Sequence, residues 1–186
     1  MWMIDSLKIY KKADRLSRRF GTSDPEEIAG ALGIRIFTNL DTDLLLGMYL
    51  YKWRNRMIFL NGNLEEHIRR CVIAHELGHD QLHRRDGKDS AMQECYSLFK
   101  MNNRMEYEAN AFASHLILDT GETLEEIRRG WSVDEIAQKA GVDINLVLIK
   151  AQELCALGCD LRIPQKASSS FLKDLTPGYG KNSASG

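Results

Sequence analysis

The chain has 186 residues, 44% hydrophobic and 27% charged. That suits one domain, or one domain with a small appendage, whose core needs no disulfide or structural metal. Its 25 Lys and Arg against 26 Asp and Glu leave a formal charge of -1, which argues against a strongly basic nucleic-acid binder and against an acidic disordered protein. No run approaches ~18 apolar residues, so no membrane span is expected. The four cysteines have no framework spacing and read as reduced thiols in a cytoplasm.

Residues 1–20 carry Ile9, Ala13, Leu16 and Phe20 at helical spacing. Their six cations against two acids read as a solvated face, and without an uninterrupted apolar run they do not read as a signal peptide. Asp24-Pro25-Glu26-Glu27 is a helix start: Asp24 caps, Pro25 suits the first turn and the glutamates favour the positive end of the dipole. Ile34–Phe37 alternates like a strand. Gly47–Trp53 and Met57–Leu60 read as a hairpin joined through Arg54-Asn55-Arg56. Asn63, with Glu66 three residues on, predicts the cap of a long helix. Ile68, Val72, His75, His79 and Leu82 share one face of it. Residues 84–102 read as a polar loop, and a second strong helix is expected over Arg104–Leu118. Thr123 and Ser132 each head a capping-box pattern, Gly141 breaks the second short helix, and Ile144–Leu157 forms the last. From Pro164 on, Ser, Gly and Pro predict a disordered tail.

The chemistry concentrates at His75-Glu76-Leu77-Gly78-His79. Residues four apart on a helix are separated by about 400° of rotation and ~6 Å of rise, so both imidazoles leave one face and can converge on one Zn²⁺. Glu76 falls beside the ion's remaining position, where it can take a proton from an activated water. His83 is a tempting third ligand, but it lies ~12 Å of rise beyond His75, too far for one helix to wrap one ion. It reads instead as a rim residue, a support for a ligand, or a cation at the helix C-terminus. The better third ligand is on the next helix, where Glu106 and Asn110 share a face. Glu108, rotated by about 200° from Glu106, points elsewhere and is the less favoured alternative. Ala109, Ala111 and Ala113 would let the two helices approach closely, and Phe112 and Leu116 read as core. Tyr49, Tyr51, Tyr107 and His83 are candidates for stabilising an oxyanion.

HELGH with His83 after it, then ExxANxFASxLIL from Glu106, resembles the ImmA/IrrE-type zinc metallopeptidases. The likeness covers about Gly47 to Leu118, and more loosely the helices to Leu157. It implies a gluzincin-like site in which His75, His79 and Glu106 hold zinc and Glu76 is the catalytic base. It also implies a substrate, a helix-turn-helix repressor cut to derepress a mobile element or stress genes. His115 departs from the family pattern, which often has Glu there, and is expected to bear on the groove. Asn110 stands where wider gluzincins often have Asp, and a neutral partner polarises its histidine less.

Val133–Lys150 has helix-turn-helix spacing, yet the second helix is apolar (Ile144, Leu146, Val147, Leu148, Ile149) with Lys150 its first cation. Residues 120–160 carry eight acids against four bases, the wrong sign for phosphate, so a packing or docking module is favoured over DNA contact. Cys155 and Cys159, without further Cys or His nearby, read as structural thiols, Cys71 as core, and Trp131 as a helix-packing residue. The expectation is an α+β protein with a small antiparallel sheet beside the metal helix and a helical C-terminal region. Its parts would be a metallopeptidase domain (1–120), a helix-turn-helix-like region (121–160) and a tail (161–186). The rival is a non-hydrolytic regulator that keeps a structural zinc and acts by binding a repressor or DNA.

Overall fold

The computed structural model describes residues 4–40, 45–84 and 104–161. Nearly all of the expected polar loop, and the tail from residue 162 on, lie outside the described residues. The fold is α+β, with seven helices and three strands among the described residues. Helix α1 (Ser6–Phe20) is capped by Asp5, which accepts from the Lys8 N–H, and it buries Ile9, Ala13 and Leu16. Helix α2 (Pro25–Ala31) begins as expected, with Asp24 accepting from the Glu26 and Glu27 N–H groups.

Strands β1 (Arg35–Leu40), β2 (Gly47–Lys52) and β3 (Asn55–Asn61) form a sheet in the order β1-β3-β2. The hairpin β2–β3 is antiparallel, with Met48 opposite Phe59. β1 joins β3 in parallel, with Ile36 opposite Ile58, so the sheet is mixed rather than wholly antiparallel. The hairpin turn also falls one residue earlier than the expected Arg54–Arg56 link. Trp53 and Arg54 form a two-residue turn with φ of 50° and 64°, the paired left-handed geometry that matches strand twist. Neither is the Gly or Asn that usually announces such a turn.

Helix α3 (Glu66–Leu82) starts later than expected and is not capped by Asn63. The Asn61 side chain takes the Asn63 N–H at 2.9 Å in a local turn, and the helix follows Glu65, which makes no side-chain cap. Helix α4 (Arg104–Ile117) lies at the centre of the molecule and packs on α3, α1 and the last helix. Helix α5 (Thr120–Arg128) is capped by Asp119 rather than Thr123. Thr123 sits one turn inside, its hydroxyl donating to the Asp119 carbonyl. Helix α6 (Val133–Ala140) has the expected capping box from Ser132 and Glu135, and Gly141 ends it at φ 60°. Helix α7 (Ile144–Ala156) buries Leu146 through Ala151 against α4 and α6. Lys150, the first cation of this helix, is therefore interior. Trp131 is 41% exposed, with the Lys139 ammonium 5.8 Å from its ring centre, so it packs less than expected. No helix among the described residues is long and apolar enough to cross a membrane.

Candidate metal centre

Two helices build the site, and their spacing is set by a glycine. A Cβ on Gly78 would lie 2.8 Å from the Ala109 Cα and 2.9 Å from the Ala109 carbonyl oxygen. α3 and α4 therefore touch backbone to backbone, at the residue before His79 on one side and one turn after Glu106 on the other. The small Ala109 anticipated this approach; Gly78, the residue that permits it, was missed. Its signal was available, because glycine inside a helix costs about 1 kcal/mol against alanine and needs a packing reason.

Across that seam three donor atoms converge. His75 Nε2 and His79 Nε2 are 3.1 Å apart, and Glu106 oxygens lie 3.3 Å from the first and 3.4 Å from the second. A tetrahedral ion with ~2.05 Å bonds has ligand–ligand edges of about 3.3 Å, so the triangle is the size of one face of such a site. All three residues are buried. The Glu106 Oε2 atom has no hydrogen-bond partner in good geometry, as expected of an atom meant for an ion. The His75 Nδ1–H donates to Asn110 Oδ1 at 2.8 Å. An amide oxygen only accepts, so the lone pair of His75 is on Nε2, facing the other donors.

Electrostatics agree with this arrangement. Burial pushes His79 down to about 4, with His75 and His83 adding to the effect and Glu106 opposing it. Its imidazole is thus neutral and able to ligate. Burial would also lower His75, but the Glu106 carboxylate outweighs it and the group titrates above its usual value. Burial would raise Glu106, but the two imidazoles hold it down near 2. Glu76 is wholly buried, and neither of its oxygens has a hydrogen-bond partner in good geometry. Burial, helped by the Glu106 charge, lifts it to about 7, while His75 and the Tyr49 main chain restrain the rise. A cation among the three donors would draw it down again.

Residues 29–152 match the model of a peptidase family described as the IrrE N-terminal-like domain. The chain belongs to this peptidase family. It is also 34% identical, over 73% of its length and 84% of the relative's, to a protein of Bacillus phage phi105 named "Uncharacterized immunity region protein 2". The family is one of peptidases, and this member's His75–His79–Glu106 group is compatible with a bound metal ion.

The remaining candidates lie around this centre. Glu108 turns away from the three donors and meets His83, 2.9 Å from its Nε2, and Arg104, at 2.7 Å. His83 is buried behind His79 rather than standing on a rim. Two of the hydroxyls considered for an oxyanion are committed elsewhere: Tyr49 donates to Asp80 at 2.7 Å and Tyr107 to Glu153 at 2.7 Å. Asp80, next to His79, was also missed. It is 1% exposed and takes Arg56 of β3 at 3.1 Å as well, tying the hairpin to α3. His115 does not reach a groove: it is buried between α4 and α7, its Nδ1 3.1 Å from Lys150 Nζ, with Tyr10 against its ring.

Proposed function

We propose that this chain is a cytoplasmic zinc-dependent endopeptidase that cleaves a helix-turn-helix repressor, releasing the genes the repressor silences. The observation that carries the reading is the triangle of donors at tetrahedral spacing with the buried Glu76 carboxylate beside it on α3, lacking a hydrogen-bond partner in good geometry. A relative named for a phage immunity region favours a regulatory protein as substrate.

In this reading His75, His79 and Glu106 would hold Zn²⁺. Bound there, the ion would supply a Lewis acid able to polarise a scissile carbonyl and acidify a water. Asn110 keeps His75 in the tautomer that ligates. Glu76 accepts the proton of the attacking water on a carboxylate oxygen and then delivers it to the departing amine, so that water is added across the C–N bond. Nothing in a purely structural zinc site requires a buried Glu76 carboxylate, whose desolvation is costly.

The test is co-expression with a candidate helix-turn-helix repressor, reading the repressor's mass. Zinc in the protein and two fragments whose masses sum to the repressor plus one water support the proposal. Loss of repression with the repressor intact would instead establish the non-hydrolytic regulator.

A further inference from the structure

We propose that His83 and Glu108 are positioning residues for His79, forming a buried relay that fixes which ring nitrogen His79 presents to the ion. The inference rests on the metal reading above and extends it to residues that do not touch the three donors' triangle. His83 caps the end of α3 and is 6% exposed. Its Nδ1 lies 3.2 Å from His79 Nδ1, and its Nε2 lies 2.9 Å from Glu108 Oε2. Arg104 Nε donates to the other Glu108 oxygen at 2.7 Å and holds that carboxylate in place.

The proton positions follow one from the next. An ion at His79 Nε2 leaves the His79 proton on Nδ1. Two nitrogens at this distance share a single proton, so His83 Nδ1 must be a bare acceptor. The His83 proton is then on Nε2, where the acceptor-only carboxylate of Glu108 stands. The two ligand histidines are thus backed unequally: His75 by the neutral oxygen of Asn110, His79 by an imidazole that a carboxylate polarises. Such support behind a ligand fixes the ring and raises its basicity, and its loss typically costs about 10–100-fold in metal affinity.

The experiment measures zinc affinity of the full chain by chelator competition for wild type, His83→Leu and His83→Asn. Wild type should bind about one zinc, and His83→Leu should bind it about 10–100-fold more weakly. His83→Asn should stay close to wild type, because the amide oxygen can stand where Nδ1 stood. A merely space-filling His83 predicts no such order, since Leu and Asn fill a similar volume. Equal affinities, or tighter binding by His83→Leu than by His83→Asn, would overturn the relay. A second reading needs no variant: long-range ¹H–¹⁵N spectra of the zinc-loaded wild type should show His83 protonated on Nε2 and bare on Nδ1. A proton on His83 Nδ1 sinks the relay even if His83→Leu does not fold. No zinc uptake by the wild type would overturn the metal reading and the relay together, whereas uptake unchanged in His83→Leu overturns the relay alone.

Discussion

A buried carboxylate without a well-aligned hydrogen-bond partner destabilises the fold that contains it, and Glu76 is such a group. Replacing it by the isosteric amide removes the proton acceptor while keeping size and reach. Glu76→Gln should therefore retain zinc, melt no lower than wild type, and lose cleavage by about 10²–10⁴-fold. Full cleavage by a zinc-loaded Glu76→Gln would end the general-base assignment. On α4, Glu106→Ala should abolish the proposed stoichiometric zinc in a metal analysis, whereas Glu108→Ala should only weaken it; the opposite order would make Glu108 the ligand. Much of this was legible, because the HExxH spacing and the 200° between Glu106 and Glu108 are properties of helix geometry alone. The Asp80 and His83 contacts were not, since each is made to a residue far along the chain whose position depends on how the elements pack.

Elements were read well where the signal was local. Asp24 and Ser132 cap as their patterns predict, and Ser132→Ala should lower stability by about 1 kcal/mol in a denaturant titration without changing zinc content. Two caps fall elsewhere than their patterns suggest: Asn61 takes the Asn63 N–H in a turn ahead of α3, and Asp119 takes the Glu122 N–H, so that α5 starts before Thr123. The parallel pairing of β1 with β3 was invisible, because it joins residues separated by the whole hairpin. The seam between α3 and α4 supplies the sharper test. Gly78→Ala improves helix propensity, yet its Cβ meets Ala109 backbone that cannot rotate away. The overpacking, typically 1–3 kcal/mol, should exceed the roughly 1 kcal/mol gained in propensity. The variant should therefore melt lower and bind zinc more weakly, and a Gly78→Ala protein matching wild type in both would show that the helices can separate freely.

At the scale of the whole molecule, the C-terminal helices are joined to the site-bearing helix by a buried polar network. Lys150 reaches His115 Nδ1 at 3.1 Å and Thr120 at 2.9 Å, while Glu153 takes the Tyr107 hydroxyl one residue from Glu106. Burial lowers Lys150 to about 8. The folded-state value is below the unfolded one, so this lysine's contribution to stability is fully present above about pH 10.5 and is lost as pH falls through 8. The stability difference between wild type and Lys150→Met should shift in favour of wild type as pH rises from 8 to 10.5, by up to about 3 kcal/mol. A pH-independent difference in chemical denaturation would contradict that. The same burial occupies the helix that would have to read a DNA groove. With residues 120–160 acidic as well, a duplex mobility assay at ~150 mM salt should show no salt-sensitive shift.

The glycine seam also bears on calorimetry. Two helices locked backbone to backbone hold their donors at a fixed separation before any ion arrives, so the proposed zinc would enter a cage that is already assembled. Its uptake should carry little change in heat capacity, because scarcely any apolar surface is newly covered. Chelation should lower the melting temperature only by the mass-action amount that ligand loss requires. The metal-free chain should keep its far-ultraviolet circular dichroism, in contrast to small zinc domains that unfold when the ion is withdrawn.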